Sequence, residues 1–110
     1  MAALHKIENG ELLAKVKKIL GITGSYNDDA IELLITDVKY FLLDAGVNET
    51  AVNSTAAIGC ISRGVADLWN LGSGTVNLSN YFKERAAQMA LCYPSRETIA
   101  FAAESEAGDV

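Results

Sequence analysis

The residues best suited to catalysis are few and lie far apart in this chain. His5 is the only histidine among the 110 residues and stands close to the N-terminus. Nucleophilic catalysis needs a nucleophile and a base within hydrogen-bond reach, with a third group that orients the base. The residues around His5 offer no such arrangement, and the neighbouring carboxylates Asp28 and Asp29 are explained by capping at the start of a predicted helix. We therefore expect no catalytic residues and no enzymatic activity.

Metal and cofactor sites have equally little support. The two cysteines, Cys60 and Cys92, and the single His5 do not show the spacing of structural zinc ligands. Each cysteine lies in an apolar, helix-like stretch, so we expect two buried free thiols in preference to a disulfide. The sequence predicts neither a metal nor a cofactor.

The charge of the chain disfavours tight binding of nucleic acid. Its formal net charge is −5, whereas a domain that grips phosphates usually carries a basic excess. Lys15, Lys17 and Lys18 form a cluster that we interpret as a solvated helix face near a helix C-terminus, where lysines favour the dipole. Contact of this cluster with DNA or with an acidic partner is the weaker alternative.

Targeting and membrane segments are not expected. The first residues contain no apolar region of the signal-peptide type. The longest apolar stretch, residues 31–47, is interrupted by Glu32, Asp37, Lys39 and Asp44, and a membrane span needs about 20 mostly apolar residues. We expect synthesis in a cytoplasm and no membrane partner.

Apolar residues recur at helical spacing in four segments, which predicts an all-α fold. The predicted helices run from about residue 9 to 20, 28 to 45, 54 to 71 and 79 to 93. Gly21 and Gly46 favour helix ends, and Pro94 stops the last helix. We expect one domain over residues 1–110, with a partly extended tail after Pro94 and flexible segments at 1–8 and 103–110.

Two glycines interrupt the third predicted helix, and each weakens it by about 1 kcal/mol relative to alanine. Gly64 borders the apolar face, so we interpret it as allowing close packing of helices. Gly59 lies on the outer face and has no such explanation. Arg63 and Asp67 are four residues apart and are expected to pair.

The second predicted helix carries further apolar residues on the side away from its main face. Leu33, Thr36, Tyr40 and Leu43 align at i, i+3, i+7 and i+10. A peripheral helix of a monomer should be polar there. Either these residues pack against a neighbouring subunit, or the helix is central and buried on both sides within its own domain. They are our candidate subunit interface.

The segments follow one another in a characteristic order. Residues 13–22 read Leu-Ala-Lys-Val-Lys-Lys-Ile-Leu-Gly-Ile, and the polar loop Asn27-Asp28-Asp29 leads into a long apolar helix from Ile31. A helix from Ala56 to Trp69 and a shorter final helix come next. Over about residues 12–92, this order and spacing resemble the head–tail connector proteins, or head-completion adaptors, of tailed bacteriophages.

That resemblance implies a structural adaptor of a tailed phage or prophage, located at the head–tail junction of the virion. The implied partners are further copies of the chain in a homo-oligomeric ring, expected to be dodecameric, together with the portal protein and tail or head-completion proteins. DNA would pass through the ring without specific binding. The apolar tail segment, with Thr98, Ile99 and Phe101, is the candidate for docking on a neighbouring subunit or on the portal.

The main alternative is a small DNA-binding regulator of the helix-turn-helix type, because short helices joined by glycine-containing turns also describe that class. A recognition helix should present several Arg, Lys, Asn or Gln side chains to base edges. The third predicted helix presents Arg63 and Asn70, and the fourth presents Lys83, Arg85 and Gln88. DNA binding that falls steeply with salt would favour this alternative.

Overall fold

The computed structural model describes residues 4–70 and 78–95. These residues form an all-α fold without a β-strand; two isolated bridges join Lys6 to Ser54 and Val47 to Pro94. A 3-10 turn over Thr55–Ala57 precedes the fourth helix. The helices are α1 (Asn9–Leu20), α2 (Asp28–Asp44), α3 (Glu49–Val52), α4 (Ile58–Asn70) and α5 (Asn80–Cys92).

The four predicted helices correspond to α1, α2, α4 and α5, whereas the short α3 was not predicted. Asn48 caps α3, since its Oδ1 accepts a hydrogen bond from the Ala51 N–H at 2.7 Å. α4 begins later than predicted because Ser54 instead caps the 3-10 turn, accepting from the Ala56 N–H at 3.2 Å. The predicted end of this helix at residue 71 lies outside the described residues.

Local signals explain most of the helix ends. Gly21 follows α1 with a φ of 74°, a left-handed conformation that glycine adopts without a steric cost. Ser79 caps α5, accepting from the Phe82 N–H at 3.1 Å. The side-chain capping predicted at the start of α2 is not seen. Asn27 occupies the N-cap position without a side-chain hydrogen bond. Asp28 instead forms an ion pair with Lys17 of α1, at 2.7 Å.

Helix α4 is the centre of the fold and packs against α1, α2 and α5. Gly64 makes this packing possible. A Cβ added there would lie 2.9 Å from Phe82 Cε2 and 2.9 Å from Val38 Cγ1, which confirms its predicted role in close packing. Gly59 has no heavy atom within 4 Å of an added Cβ. The side chains that are fully buried around α4 include those of Leu12, Val16, Ile31, Val38, Leu42, Ile61, Val65 and Phe82.

The N-terminal segment contacts the domain from residue 4 onward. Ile7 is buried, and its N–H donates to the Asn53 carbonyl at 3.0 Å. The Thr55 N–H donates to the His5 carbonyl at 2.8 Å. Residues 5–7 therefore lie along the segment before α4, within the part expected to be flexible. The other segment expected to be flexible, residues 103–110, lies outside the described residues.

The described helices include none with the length and apolar character needed to cross a bilayer.

Candidate interaction surface

The two cysteines lie in different environments. Both are free thiols. Cys60 is buried as predicted, and burial raises its pKa to about 11, opposed in part by the positive charge of Arg85. The prediction is wrong for Cys92, which is exposed. Helix α5 buries Phe82, Ala86 and Met89, and Cys92 follows one turn later on an open surface.

The part of the chain that the structure describes holds no group of three or more histidine, cysteine, aspartate or glutamate side chains placed to bind a metal ion. His5 is exposed, and its backbone carbonyl serves the contact with Thr55.

The lysine cluster divides into two kinds of residue. Lys15 and Lys18 are exposed, as expected for a solvated helix face. Lys17 is half-buried, pairs with Asp28, and also donates to the Gly24 carbonyl. Lys17 therefore joins α1 to the start of α2 and the loop between them, and it is not free for an acidic partner.

The candidate interface residues lie along one side of α2. The side chains of Leu33 and Tyr40 are large and open to solvent, with 69% and 62% of their surfaces exposed. Thr36 between them is also exposed, and its hydroxyl donates to the Glu32 carbonyl at 3.0 Å. Leu43 is half-buried against the core. Three of the four residues are therefore not buried between elements of their own domain, and α4, not α2, is the central helix.

A groove runs beside this face between α2 and α3. Its central pocket has a volume of about 200 Å³ and is lined by Thr36, Lys39, Tyr40, Leu43, Glu49, Val52 and Asn53. The ammonium group of Lys39 donates to Asn53 Oδ1 at 3.0 Å and to Asn9 Oδ1 at 3.4 Å. Partial burial lowers the pKa of Lys39. The groove thus has an apolar wall, a lysine fixed by two hydrogen bonds and the acidic residue Glu49 in one lining.

Sequence reasoning did not identify Lys39 and the residues of α3 as part of this surface. Lys39 is the only basic residue of α2, among five acidic ones, and that difference in charge is the signal that could have identified it. Its partners Asn9 and Asn53 come from distant parts of the chain. Their contact depends on how the helices pack.

The arginines considered for DNA recognition are engaged within the protein. Arg63 pairs with Asp67 at 3.3 Å, as predicted, and its guanidinium lies 5.9 Å from the centre of the Tyr81 ring. Arg85 donates to Gln88 Oε1 at 2.9 Å. These contacts lie within α4 and α5 or between them.

The tail candidates Thr98, Ile99 and Phe101 lie outside the described residues. The described chain leads to Ser95, whose N–H donates to the Gly46 carbonyl at 2.8 Å, directly after the end of α2. The tail segment therefore starts beside the candidate interface.

Comparison of this chain with protein-family models, with curated proteins and with solved structures finds no match.

Proposed function

We propose that this chain is a structural adaptor of a tailed bacteriophage or prophage. In this role it forms a homo-oligomeric ring that joins the portal protein to tail or head-completion proteins. The observation that carries the proposal is the exposed apolar face of α2, with Leu33 and Tyr40. The order of the segments, which resembles that of head–tail connector proteins, supports the same role.

The exposed face of α2 is informative because two large apolar side chains lie on the same side of one helix. Single exposed apolar residues are ordinary on protein surfaces, whereas neighbouring large ones mark interaction sites. Leu33 and Tyr40 are two turns apart on one side of a helix of 17 residues. Tyrosine is also among the residues enriched at the centres of interfaces. Contact with another subunit would remove this face from water.

A ring needs two unlike surfaces on each subunit, because a head-to-tail contact closes only when one surface meets a different one on the next copy. The α2 face supplies one of them in this proposal. Helix α5 carries further exposed large side chains, since Tyr81 and Leu91 near its two ends are 59% and 83% exposed. Both helices pack on α4, so they are held in a fixed relation to each other.

The acidic balance of the chain is compatible with a ring through which DNA passes. A net charge of −5 disfavours retention of phosphates. The DNA-binding alternative gains no support from Arg63 and Arg85, because both side chains already have partners within the domain.

The test is the mass of the purified protein in solution, measured alone and after mixing with a portal ring from the same genome. We expect cyclic oligomers, or co-migration with the portal. A monomer that does not bind the portal would contradict the proposal, and DNA binding would then be measured as a function of salt.

Two matched variants locate the contact. Tyr40→Glu places a charge on the α2 face and should abolish the oligomer or the portal complex. Tyr26→Glu makes the same change in the loop before α2, where the tyrosine is 96% exposed, and should leave assembly intact. Loss of assembly in the second variant alone would exclude the α2 face as the contact.

A further inference from the structure

The outer side of α2 is acidic. This helix contains five acidic residues and one basic residue, Lys39. Lys39 is half-buried and donates to Asn53 and Asn9, whereas Asp28 pairs with Lys17 of α1. The other four acidic residues are exposed and form no ion pair within residues 4–70 and 78–95. They are Asp29, Glu32, Asp37 and Asp44.

Two of these carboxylates border the exposed apolar residues of α2. Asp37 follows Leu33 by four residues, and Asp44 follows Tyr40 by four residues. Residues four apart are neighbours on one side of a helix. Each large apolar side chain of the α2 face is therefore followed, one turn later, by a carboxylate. We call Asp37 and Asp44 the acidic edge of the α2 face.

The outer side of α1 has the opposite charge in its C-terminal half. Lys15 and Lys18 are exposed there without an ion pair to any described residue, and Ile19 beside them is 58% exposed. These three residues form the α1 patch. Glu11 is exposed on the same side, one turn before Lys15. It lies roughly 10 Å along the helix from Lys18, which exceeds the screening length of about 8 Å in physiological salt.

Helix α5 has no surface of comparable charge. Leu91 is 83% exposed and lies two turns after Lys83 and Glu84, which have opposite charges. Arg85 already donates to Gln88. Among the exposed apolar residues of α1 and α5, Ile19 is therefore the one with basic neighbours, and the α1 patch is the better complement to an acidic surface.

A contact between two α2 faces would be unfavourable. It would bring the acidic edges of both copies together, and like charges placed opposite each other in an interface oppose binding. Lys39, the only basic residue of α2, is turned toward Asn53 and Asn9. The α2 face therefore needs an unlike surface on the next copy, and a contact between unlike surfaces is the kind that can close into a ring.

The apolar residues of the two surfaces also fit each other in spacing. Leu33 and Tyr40 are seven residues apart, roughly 10 Å along α2, and the short side chain of Thr36 lies between them. Helices pack by placing side chains of one into the gaps between side chains of the other. Ile19 can fill this gap, and Lys15 and Lys18 then lie within one turn of it.

We propose that the α1 patch of one copy of this chain lies against the α2 face of the next copy. Ile19 then lies between Leu33 and Tyr40, and Lys15 and Lys18 lie beside the acidic edge. Burial of the apolar side chains stabilises the contact, and the charges select the correct surface. This inference rests on the proposed function, in which copies of the chain form a ring, and it identifies the second surface of that ring.

Exchange of the charges tests the contact. Lys15→Glu with Lys18→Glu makes the α1 patch acidic, and Asp37→Lys with Asp44→Lys makes the acidic edge basic. Each double variant alone should lose self-association, because like charges then meet. An equimolar mixture of the two should regain it, since every contact between unlike variants joins opposite charges. The measurement is the mass of the particles in solution.

The matched control combines Lys6→Glu with Lys83→Glu. Both lysines are exposed and lie outside the two surfaces, and the net charge changes as much as in the α1 variant. Assembly of this control should equal that of wild type. A mixture that assembles no better than the separate variants would overturn the proposal, and so would unchanged assembly of either variant alone.

A second measurement detects the contact even when it is too weak to give a stable oligomer. In a Cys92→Ser background, where Cys60 stays buried, an Ile19→Cys protein is mixed with a Leu33→Cys protein under mild oxidation. We expect the mixed disulfide to form about tenfold faster than between Ile19→Cys and Leu91→Cys proteins. Each rate is divided by the reactivity of the two thiols toward a small disulfide reagent.

Leu91 is more exposed than Leu33, so accessibility does not favour the expected result. Equal normalised rates would overturn the proposal. Preferential trapping in a protein that does not bind the portal would keep this contact while the adaptor proposal fails. Co-migration with the portal together with equal trapping rates would keep the adaptor proposal and reject this contact.

Discussion

Gly64 shows how the absence of one side chain determines the packing of three helices. An added Cβ would lie 2.9 Å from Phe82 of α5 and from Val38 of α2. Both neighbours are buried, so neither can move aside easily. This position therefore limits how closely α4 approaches α2 and α5.

Gly64→Ala should destabilise the domain by about 1–3 kcal/mol through overpacking, although alanine favours a helix by up to ~1 kcal/mol over glycine. Gly59→Ala is the matched control in the same helix, with no atom within 4 Å, and should be neutral or stabilising. Urea unfolding measures both. Equal effects of the two substitutions would contradict the packing role of Gly64.

The two thiols should differ in reactivity. A thiolate is the reactive form, and burial raises the pKa of Cys60 to about 11. In the folded protein we expect a disulfide reagent at pH 8 to modify Cys92 rapidly and Cys60 only on unfolding. Two fast thiols in the native state would contradict the burial of Cys60.

The raised pKa of Cys60 predicts that the free energy of unfolding depends on pH in the alkaline range. The folded-state pKa of Cys60 lies above the ordinary value of 9.0, so the unfolded chain loses its proton first as the pH rises. The contribution of the neutral Cys60 thiol to the free energy of unfolding is complete below pH 9 and is lost as the pH approaches about 11. Urea unfolding of wild type and Cys60→Ala across this range should show a steeper decline for wild type. Parallel curves would contradict the shift.

At the scale of elements, the start of α5 is determined by two side chains. Ser79 Oγ accepts from the Phe82 N–H, and Asp67 of α4 accepts from the Ser79 N–H at 3.1 Å. Asp67 also pairs with Arg63. The cap of α5 is thereby attached to the central helix.

Ser79→Ala removes the cap and should lower the free energy of unfolding by about 1 kcal/mol. Ser25→Ala is the control, because Ser25 is exposed and precedes α2 outside any cap described above. Thermal or urea unfolding compares the two variants with wild type. A larger loss for Ser25→Ala would mean that the hydrogen bond of Ser79 does not stabilise α5.

At the scale of the whole molecule, α2 has one face in the core and another in water. Leu42 is 0% exposed, whereas Leu33 is 69% exposed on the same helix. Residues that hold the subunit together are thus separate from those available to a partner.

Two single variants, Leu33→Ala and Leu42→Ala, should distinguish a residue needed for assembly from a residue needed for folding. Leu42→Ala should cost about 2–5 kcal/mol of stability because it opens a cavity. Leu33→Ala should change stability by less than about 0.5 kcal/mol, yet weaken the oligomer or the portal complex. Unfolding curves and solution mass measure the two effects, and a Leu33→Ala variant that assembles like wild type would remove this residue from the interface.

Much of the secondary structure could be read from the sequence. The bounds of α1 were predicted by its apolar spacing and by Gly21, and the last helix stops before Pro94. The Arg63–Asp67 pair also follows from a spacing of four residues on one helix. These features depend on neighbours along the chain, which is why the sequence by itself determined them.

Other features were decided only by the tertiary structure. The choice of α4 as the central helix, the exposure of Cys92 and the partners of Lys39 all depend on residues distant in the sequence. Both α2 and α4 have broad apolar faces, and periodicity alone does not reveal which of them the other helices surround. The answer comes from how side chains fill space together, as at Gly64 between Val38 and Phe82.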